Sequence, residues 1–266
     1  YNFNGLERGH YSCKYYYTGN EQYKDGIGNM EFVIPSIITP LTFENDNIEM
    51  YYKDGTSLKA FLKDQNGKAL KNKGIYFEIN GVRYLRNTDE NGSASIKLNL
   101  NPGTYDIITF YMGSLSTAAN LTHANITILP TIIGQDITKL YRNKTQYHVN
   151  ITDNKGNALA NQSVKFNVNG VFYNRITNEN GTSTLNINLP QGTYIITAEN
   201  PNDGSKISNT IEVLPTIISK DMIKIFKNDS QFYVEALKTD GSPLANTNLT
   251  FNINGVFYKR TTDSNG

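Results

Sequence analysis

The side chains that could do chemistry in this 266-residue sequence are few and scattered. The three histidines, His10, His123 and His148, lie far apart, and Cys13 is the single cysteine. A zinc site needs three or four such ligands and a disulfide framework needs paired cysteines, so neither a metal nor an intrachain disulfide is expected. Cys13 reads as a small, partly buried residue or, alternatively, as half of an intermolecular disulfide. Asp64-Gln65-Asn66-Gly67 and Asp153-Asn154-Lys155-Gly156 have the oxygen-rich look of calcium loops. No bidentate Glu follows at the required distance, and Lys155 puts a cation inside the second loop, so both read as turns. No Ser, His and Asp arrangement, carboxylate pair or phosphate-binding glycine loop stands out. The chain is expected not to be an enzyme and to need no cofactor.

The modification chemistry is richer. Nine Asn-x-Ser/Thr sequons occur, and Asn91, Asn143 and Asn180 are the best-placed acceptors because they fall in turn-like contexts. A net charge of +1 and a pI near 7.9 leave no electrostatic footprint for nucleic acid or an anionic membrane. No apolar run approaches the roughly 20 residues that span a bilayer, so no membrane insertion is expected in this segment. A chain that starts at Tyr1 without a signal-peptide pattern reads as a processed product or a piece of something longer.

One element recurs three times and must position everything else. Ile75 to Arg86, Val164 to Arg175 and Leu249 to Arg260 are each two alternating runs around Asn-Gly: Asn80-Gly81, Asn169-Gly170 and Asn254-Gly255. Asn and Gly tolerate the positive φ that both central residues of a type I′ turn require, so each is expected to be a two-residue β-hairpin. The register follows: Val168 faces Val171, Phe166 faces Tyr173, and one side of the ribbon is apolar in every copy. On the outer side Glu78 pairs with Arg83, Asn167 with Phe172 and Asn252 with Phe257. Phe172 and Phe257 are therefore either covered by a neighbouring loop or repeat or are contacts for another molecule.

The turn asparagines are spaced by 89 and 85 residues, and other marks keep the same offsets. Leu70, Leu159 and Leu244 lie 10 residues before the turn, and Thr88-Asp89-Glu90-Asn91-Gly92, Thr177-Asn178-Glu179-Asn180-Gly181 and Thr262-Asp263-Ser264-Asn265-Gly266 follow it. Gly9-His10-Tyr11 stands where Gly192-Thr193-Tyr194 stands, and Val33-Ile34-Pro35-Ser36-Ile37-Ile38 where Val213 to Ile218 stand. Residues 1–35 are thus expected to close one repeat, 36–130 and 131–215 to be whole repeats, and 216–266 to open another.

Seven strands are expected in 131–215, the first a single run from Ile132 to Thr138, with essentially no helix. Strands of this length at turn spacings of about 8 to 12 residues point to an all-β fold of tandem Ig-like β-sandwich domains. Gly-x-Tyr before the sixth strand is similar to the tyrosine corner of such sandwiches, which assigns that role to Tyr11, Tyr105 and Tyr194. The chain passes from Leu129-Pro130-Thr131-Ile132 into the next strand without a Gly/Ser-rich spacer, so an elongated, stiff rod is expected.

Gly156 to Asn161, Phe166 to Tyr173, Thr177 to Gly181, Leu185 to Leu189 and Gly192 to Tyr194 carry a resemblance that extends over nearly the whole chain. They resemble the Ig-like repeats of large adhesin-like surface proteins of methanogenic archaea and, more distantly, those of invasin-type and cell-wall adhesins of bacteria. The resemblance implies an extracellular, cell-surface stalk or adhesin segment. Its partners would be neighbouring repeats, copies of itself, or an unidentified cell-surface or glycan ligand. Some cell-wall adhesins weld strands with a Lys-Asn isopeptide bond. Here Lys59, His148 and Tyr233 occupy roughly matching places, so no such bond is expected. The alternative is a self-assembling extracellular filament subunit whose terminal half-repeats complement one another between chains.

Overall fold

Every regular element is a β-strand among the residues that the computed structural model describes, 6, 9–34, 39–114 and 117–266. The chain divides into two compact units, with the division between Pro130 and Thr131. The expected boundary between residues 35 and 36 lies outside the described residues, as do Ile37 and Ile38.

The first unit begins with β1 (Gly9–Tyr17) and β2 (Gly26–Ile34), which pair with each other as an antiparallel ribbon. There follow β3 (Leu41–Phe43), β4 (Asn47–Tyr51), β5 (Ser57–Leu62), β6 (Gly74–Ile79), β7 (Val82–Asn87), β8 (Ser93–Lys97), β9 (Gly103–Tyr111) and β10 (Asn120–Leu129). They form a three-stranded sheet, β3-β5-β8, and a five-stranded sheet, β4-β10-β9-β6-β7. The period-2 alternation of β5, β6, β9 and β10 turns Leu58, Phe77, Ile107 and Ile126 into one buried core between the sheets.

The second unit repeats the plan with β11 (Ile132–Gly134), β12 (Ile137–Leu140), β13 (Gln146–Ile151), β14 (Ser163–Val168), β15 (Val171–Ile176), β16 (Thr182–Asn186), β17 (Gly192–Glu199) and β18 (Lys206–Leu214). Its sheets are β11-β13-β16 and β12-β18-β17-β14-β15, closed over Tyr147, Ile151, Phe166 and Ile196. Both sandwiches have Ig-like connectivity, all-β with the hairpin at one edge of the larger sheet. The rest of the unit holds β19 (Ile217–Ser219), β20 (Val234–Ala236), β21 (Asn248–Ile253) and β22 (Val256–Thr261), paired as β19-β20 and β21-β22.

Two expectations are corrected. The run from Ile132 to Thr138 is two strands, because the chain changes sheets after Gly134. β11 pairs antiparallel with β13 and β12 parallel with β18. A Cβ on Gly134 would lie 2.5 Å from the Tyr147 hydroxyl, so the crossing needs a residue without a side chain there. Past the crossing, the Asp136 carboxylate accepts from the Thr210 backbone N–H at 2.8 Å and anchors the new pairing.

The second correction concerns the closing strands at 9–34. Gly9 faces Ile34 as Gly192 faces Val213, so Ile34, not Val33, takes the place of Val213. The proline is not the register mark. Met30, Phe32 and Ile34 alternate, and pairing follows the apolar set because a one-residue slip would turn all three to the other face.

Candidate functional site

The three hairpins adopt the expected turn and register. Asn80, Asn169 and Asn254 have φ of 49°, 49° and 51°, and Gly81, Gly170 and Gly255 have φ of 77°, 84° and 88°. Val168 faces Val171 and Phe166 faces Tyr173. The outer-face Asn167 and Asn252 also serve the turn, accepting from the N–H of Gly170 and Gly255 at 2.8 and 2.9 Å. The inner face is less symmetric than the pattern implies. Val164, Phe166 and Val168 are buried, whereas Val171 is exposed and Tyr173 only partly buried, because β15 is the sheet's edge and overhangs the core.

On the outer face Phe172 is 58% and Phe257 68% exposed. Lys165 Nζ lies 4.4 Å over the Phe172 ring, a cation–π contact on a solvent-facing aromatic. The first copy differs in chemistry. Arg83 Nε donates to Glu78 Oε2 at 2.7 Å and the guanidinium stacks 5.2 Å over Phe110. An exposed pair of this kind contributes under about 1 kcal/mol. It edges an open groove of about 620 Å³ whose apolar wall includes Phe110, Met112 and Leu121.

The recurring marks after the turn are structural. Thr88, Thr177 and Thr262 donate through Oγ1 to the carbonyls of Leu70, Leu159 and Leu244 at 2.6, 2.6 and 2.5 Å. Each hydroxyl also accepts from a backbone N–H, of Lys73, Gln162 and Thr247. The spaced Leu and Thr are thus two ends of one clamp. Asp64 and Asp153 bond the backbone of their own loops, accepting from Asn66 and Lys68 and from Lys155 and Asn157. Among the described residues no three His, Cys, Asp or Glu side chains gather as a metal site.

Tyr105 donates its hydroxyl to the Asn101 carbonyl at 2.8 Å and Tyr194 to the Pro190 carbonyl at 3.0 Å, each four residues upstream. Both rings pack against their cores. Tyr11 stacks on Phe32 with ring centroids 5.4 Å apart, and its upstream neighbours Arg8 and Glu7 lie outside the described residues. Tyr194→Phe is expected to cost about 1 kcal/mol, the net worth of one such bond, and to lower the melting temperature of 131–215 by several degrees. Thermal unfolding of the variant checks this; an unchanged midpoint would show that the ring alone matters.

The search for known relatives gives structures only: no protein-family model and no curated protein matches the chain. It is similar to the Yersinia pseudotuberculosis adhesin InvE, at 16% identity over 84% of this chain and 67% of that one, with a TM-score of 0.30. It is also similar to a Ca²⁺-stabilized adhesin that helps an Antarctic bacterium reach out and bind ice, at 14% identity over 97% and 72%, TM-score 0.25. The fibronectin(III)-like modules of Clostridium thermocellum CbhA match at 11% identity over 66% and 95%, TM-score 0.28.

Of the three sequon candidates, Asn91 and Asn180 are exposed. Asn143 is half-buried, and its Nδ2 donates to the Thr239 carbonyl at 2.8 Å while its Oδ1 accepts from Thr145. One of the two N–H bonds on the nitrogen that would carry a glycan there is used by the Thr239 carbonyl.

Several working residues gave no signal in the sequence. Lys139 is 5% exposed and donates Nζ to the carbonyls of Thr145 and Ile187 at 3.1 and 2.8 Å. Burial pulls its pKa down. Asn200 is fully buried and joins the carbonyls of Thr131 and Thr152 at 2.9 and 3.0 Å. The Tyr147 hydroxyl donates to Asn209 Oδ1 at 2.7 Å, and Asn209 Nδ2 donates to Asp136 at 3.1 Å. The Thr210 N–H, then Asn209, holds Asp136 below its ordinary value.

Burial, reinforced by the Asp136 charge, pushes the Tyr147 phenol up to about 12. An unfolded phenol ionises near 10. The folded state therefore resists losing this proton, and stability is lost as pH rises from about 10 to about 12. The melting temperature of 131–215 is expected to fall across that window, and to fall less in Tyr147→Phe; parallel slopes would contradict the assignment.

Proposed function

We propose that this chain is a structural, adhesive stalk segment of an extracellular, cell-surface adhesin-like protein. In this reading stacked Ig-like repeats, 36–130 and 131–215 with half-repeats 1–35 and 216–266 beside them, hold a distal binding region away from the cell. The observation that carries the reading is a parallel pairing, in each sandwich, between the second strand and the last one. β4 lies parallel to β10 from Asn47 opposite Asn125 to Tyr51 opposite Leu129. β12 lies parallel to β18 from Ile137 opposite Ile211 to Leu140 opposite Leu214. Tension applied to the two ends of a domain draws such strands past one another, so the ladder bonds load together in shear instead of opening one by one. That is the arrangement a load-bearing spacer needs, and it serves no catalytic step.

The motifs' resemblance to methanogen surface repeats supports the location and an archaeal source. Asn91 and Asn180 would be glycan carriers there, and Phe172 and Phe257 the contacts for a neighbouring repeat or a glycan ligand. Antibodies raised against 131–215 test the location: they should label intact source cells, and labelling only after lysis would overturn it.

A further inference from the structure

We propose that a cavity built around Lys139 in the 131–215 sandwich binds the anionic group of an acidic sugar. The inference goes beyond the stalk reading and does not depend on it.

The cavity arises from a difference between the two complete repeats. Lys139 faces Val213 of β18 as Met50 faces Ile128 of β10, and Val213 and Ile128 face Gly192 and Gly103 in turn, so Lys139 and Met50 hold the same place. Met50 is 3% and Lys139 5% exposed. One repeat thus fills the position with an apolar side chain and the other buries an ammonium there. In 36–130 the chain just beyond β5 and β8 is joined by a backbone bond, from the Leu98 N–H to the Thr56 carbonyl at 3.0 Å. In 131–215 the carbonyl of Thr145, the counterpart of Thr56, accepts instead from Lys139 Nζ at 3.1 Å, and the ammonium also reaches the Ile187 carbonyl at 2.8 Å. The lysine stands in for a backbone bond, and a cavity of about 310 Å³ opens against it.

Burying a cation where a methionine serves costs stability unless a partner offsets the lost hydration. The two carbonyls take two of the three ammonium N–H bonds. Among the described residues no carboxylate pairs with Lys139, nor with Arg142 or Lys144, which line the same cavity. No carboxylate is among the lining residues either. The Arg142 guanidinium rests 5.3 Å over the Tyr141 ring, which holds it at the rim without neutralising it. Three cations around one cavity with no counter-charge form a site for an anion. The rest of the lining includes the amides of Gln146, Asn186 and Asn188, which suit hydroxyl groups. The volume lies at the small end of ligand cavities and leaves room for a single sugar unit. The constellation belongs to one repeat: in 36–130 Met50, Asp54 and Gly55 stand where Lys139, Asn143 and Lys144 stand, so two cations are lost and a carboxylate is added.

Calorimetric titration of the full 266-residue chain with glucuronate tests the site, with glucose and acetate as the other probes. Glucuronate is expected to bind, acetate to bind more weakly because it lacks the hydroxyls, and glucose not to bind. Lys139→Met installs the residue of the first repeat, so it should keep the fold while weakening glucuronate binding by about tenfold or more. Arg142→Gln and Lys144→Gln, both at exposed positions, should each weaken it by a smaller factor at an unchanged melting temperature. The proposal is overturned if glucuronate gives no binding heat, or if glucose binds as well as glucuronate. Acetate binding as tightly as glucuronate would reduce the cavity to an adventitious anion site and overturn the assignment to a sugar. Unchanged glucuronate binding in Lys139→Met, or in the Arg142→Gln, Lys144→Gln double variant, would place the ligand elsewhere and overturn it as well.

Discussion

Gly181→Ala should destabilise the 131–215 sandwich by about 2 to 5 kcal/mol, while Gly170→Ala in the same repeat should cost only about 1 to 2. Both glycines have positive φ, 72° and 84°, so alanine meets the same left-handed penalty of about 1 to 2 kcal/mol at either. They differ in what a Cβ would touch. At Gly170 nothing lies within 4 Å. At Gly181 the Ile151 carbonyl oxygen lies 2.5 Å away, and that carbonyl is fixed because it accepts from the Leu159 N–H. The Gly181 carbonyl in turn accepts from the Ile151 N–H at 2.9 Å. The backbone of β13 would have to give way, at about 1 to 3 kcal/mol more for overpacking. Against a domain stability of about 5 to 15 kcal/mol, the melting temperature should drop by roughly 10 °C or more. Calorimetry of the two variants decides it: equal shifts would mean that the close approach is not rigid.

Phe166→Ala should cost about 3 to 5 kcal/mol, among the largest effects of any single truncation, while Phe172→Ala should stay within about 0.5 kcal/mol of the natural chain. The two residues sit on opposite faces of one hairpin. Phe166 is fully buried and meets Tyr147 edge-on, with ring centroids 6.1 Å apart. Its removal leaves a cavity that the sheets cannot close. Phe172 gives up little beyond its contact with Lys165. A binding role for Phe172 would therefore show as lost association at unchanged stability. Chemical denaturation of both variants separates these cases, and a large loss for Phe172→Ala would place it under a neighbouring loop.

The hairpins were legible because two independent signals agreed: Asn-Gly specified the turn and period-2 alternation specified the register. The sandwich followed from the repetition of those signals. What could not be read depended on contacts across the core. Ile132 to Thr138 carries no interruption beyond one glycine, and the need for that glycine lies in Tyr147, on another strand. Lys139 reads as a surface lysine because its two carbonyl partners come from loops that only the fold brings together. The bond from the Asn143 amide to the Thr239 carbonyl, nearly a hundred residues on, is equally invisible in the sequence. Pro35 misled the alignment of the closing strands, since pairing obeys the apolar alternation and not the proline. The recurring Thr and Leu marks were visible, but their meaning as a clamp needed coordinates.

The central claim is that each repeat is an independent sandwich built to bear tension between its ends. Single-molecule stretching of the whole chain by its termini tests this most directly. A repeat of about 85 to 95 residues, fully extended at roughly 3.5 Å each, spans about 300 to 330 Å, of which the folded length must be subtracted. Two abrupt unfolding events are expected, each releasing roughly 250 to 300 Å, one for 36–130 and one for 131–215. A single event, or smooth extension without force peaks, would contradict the account.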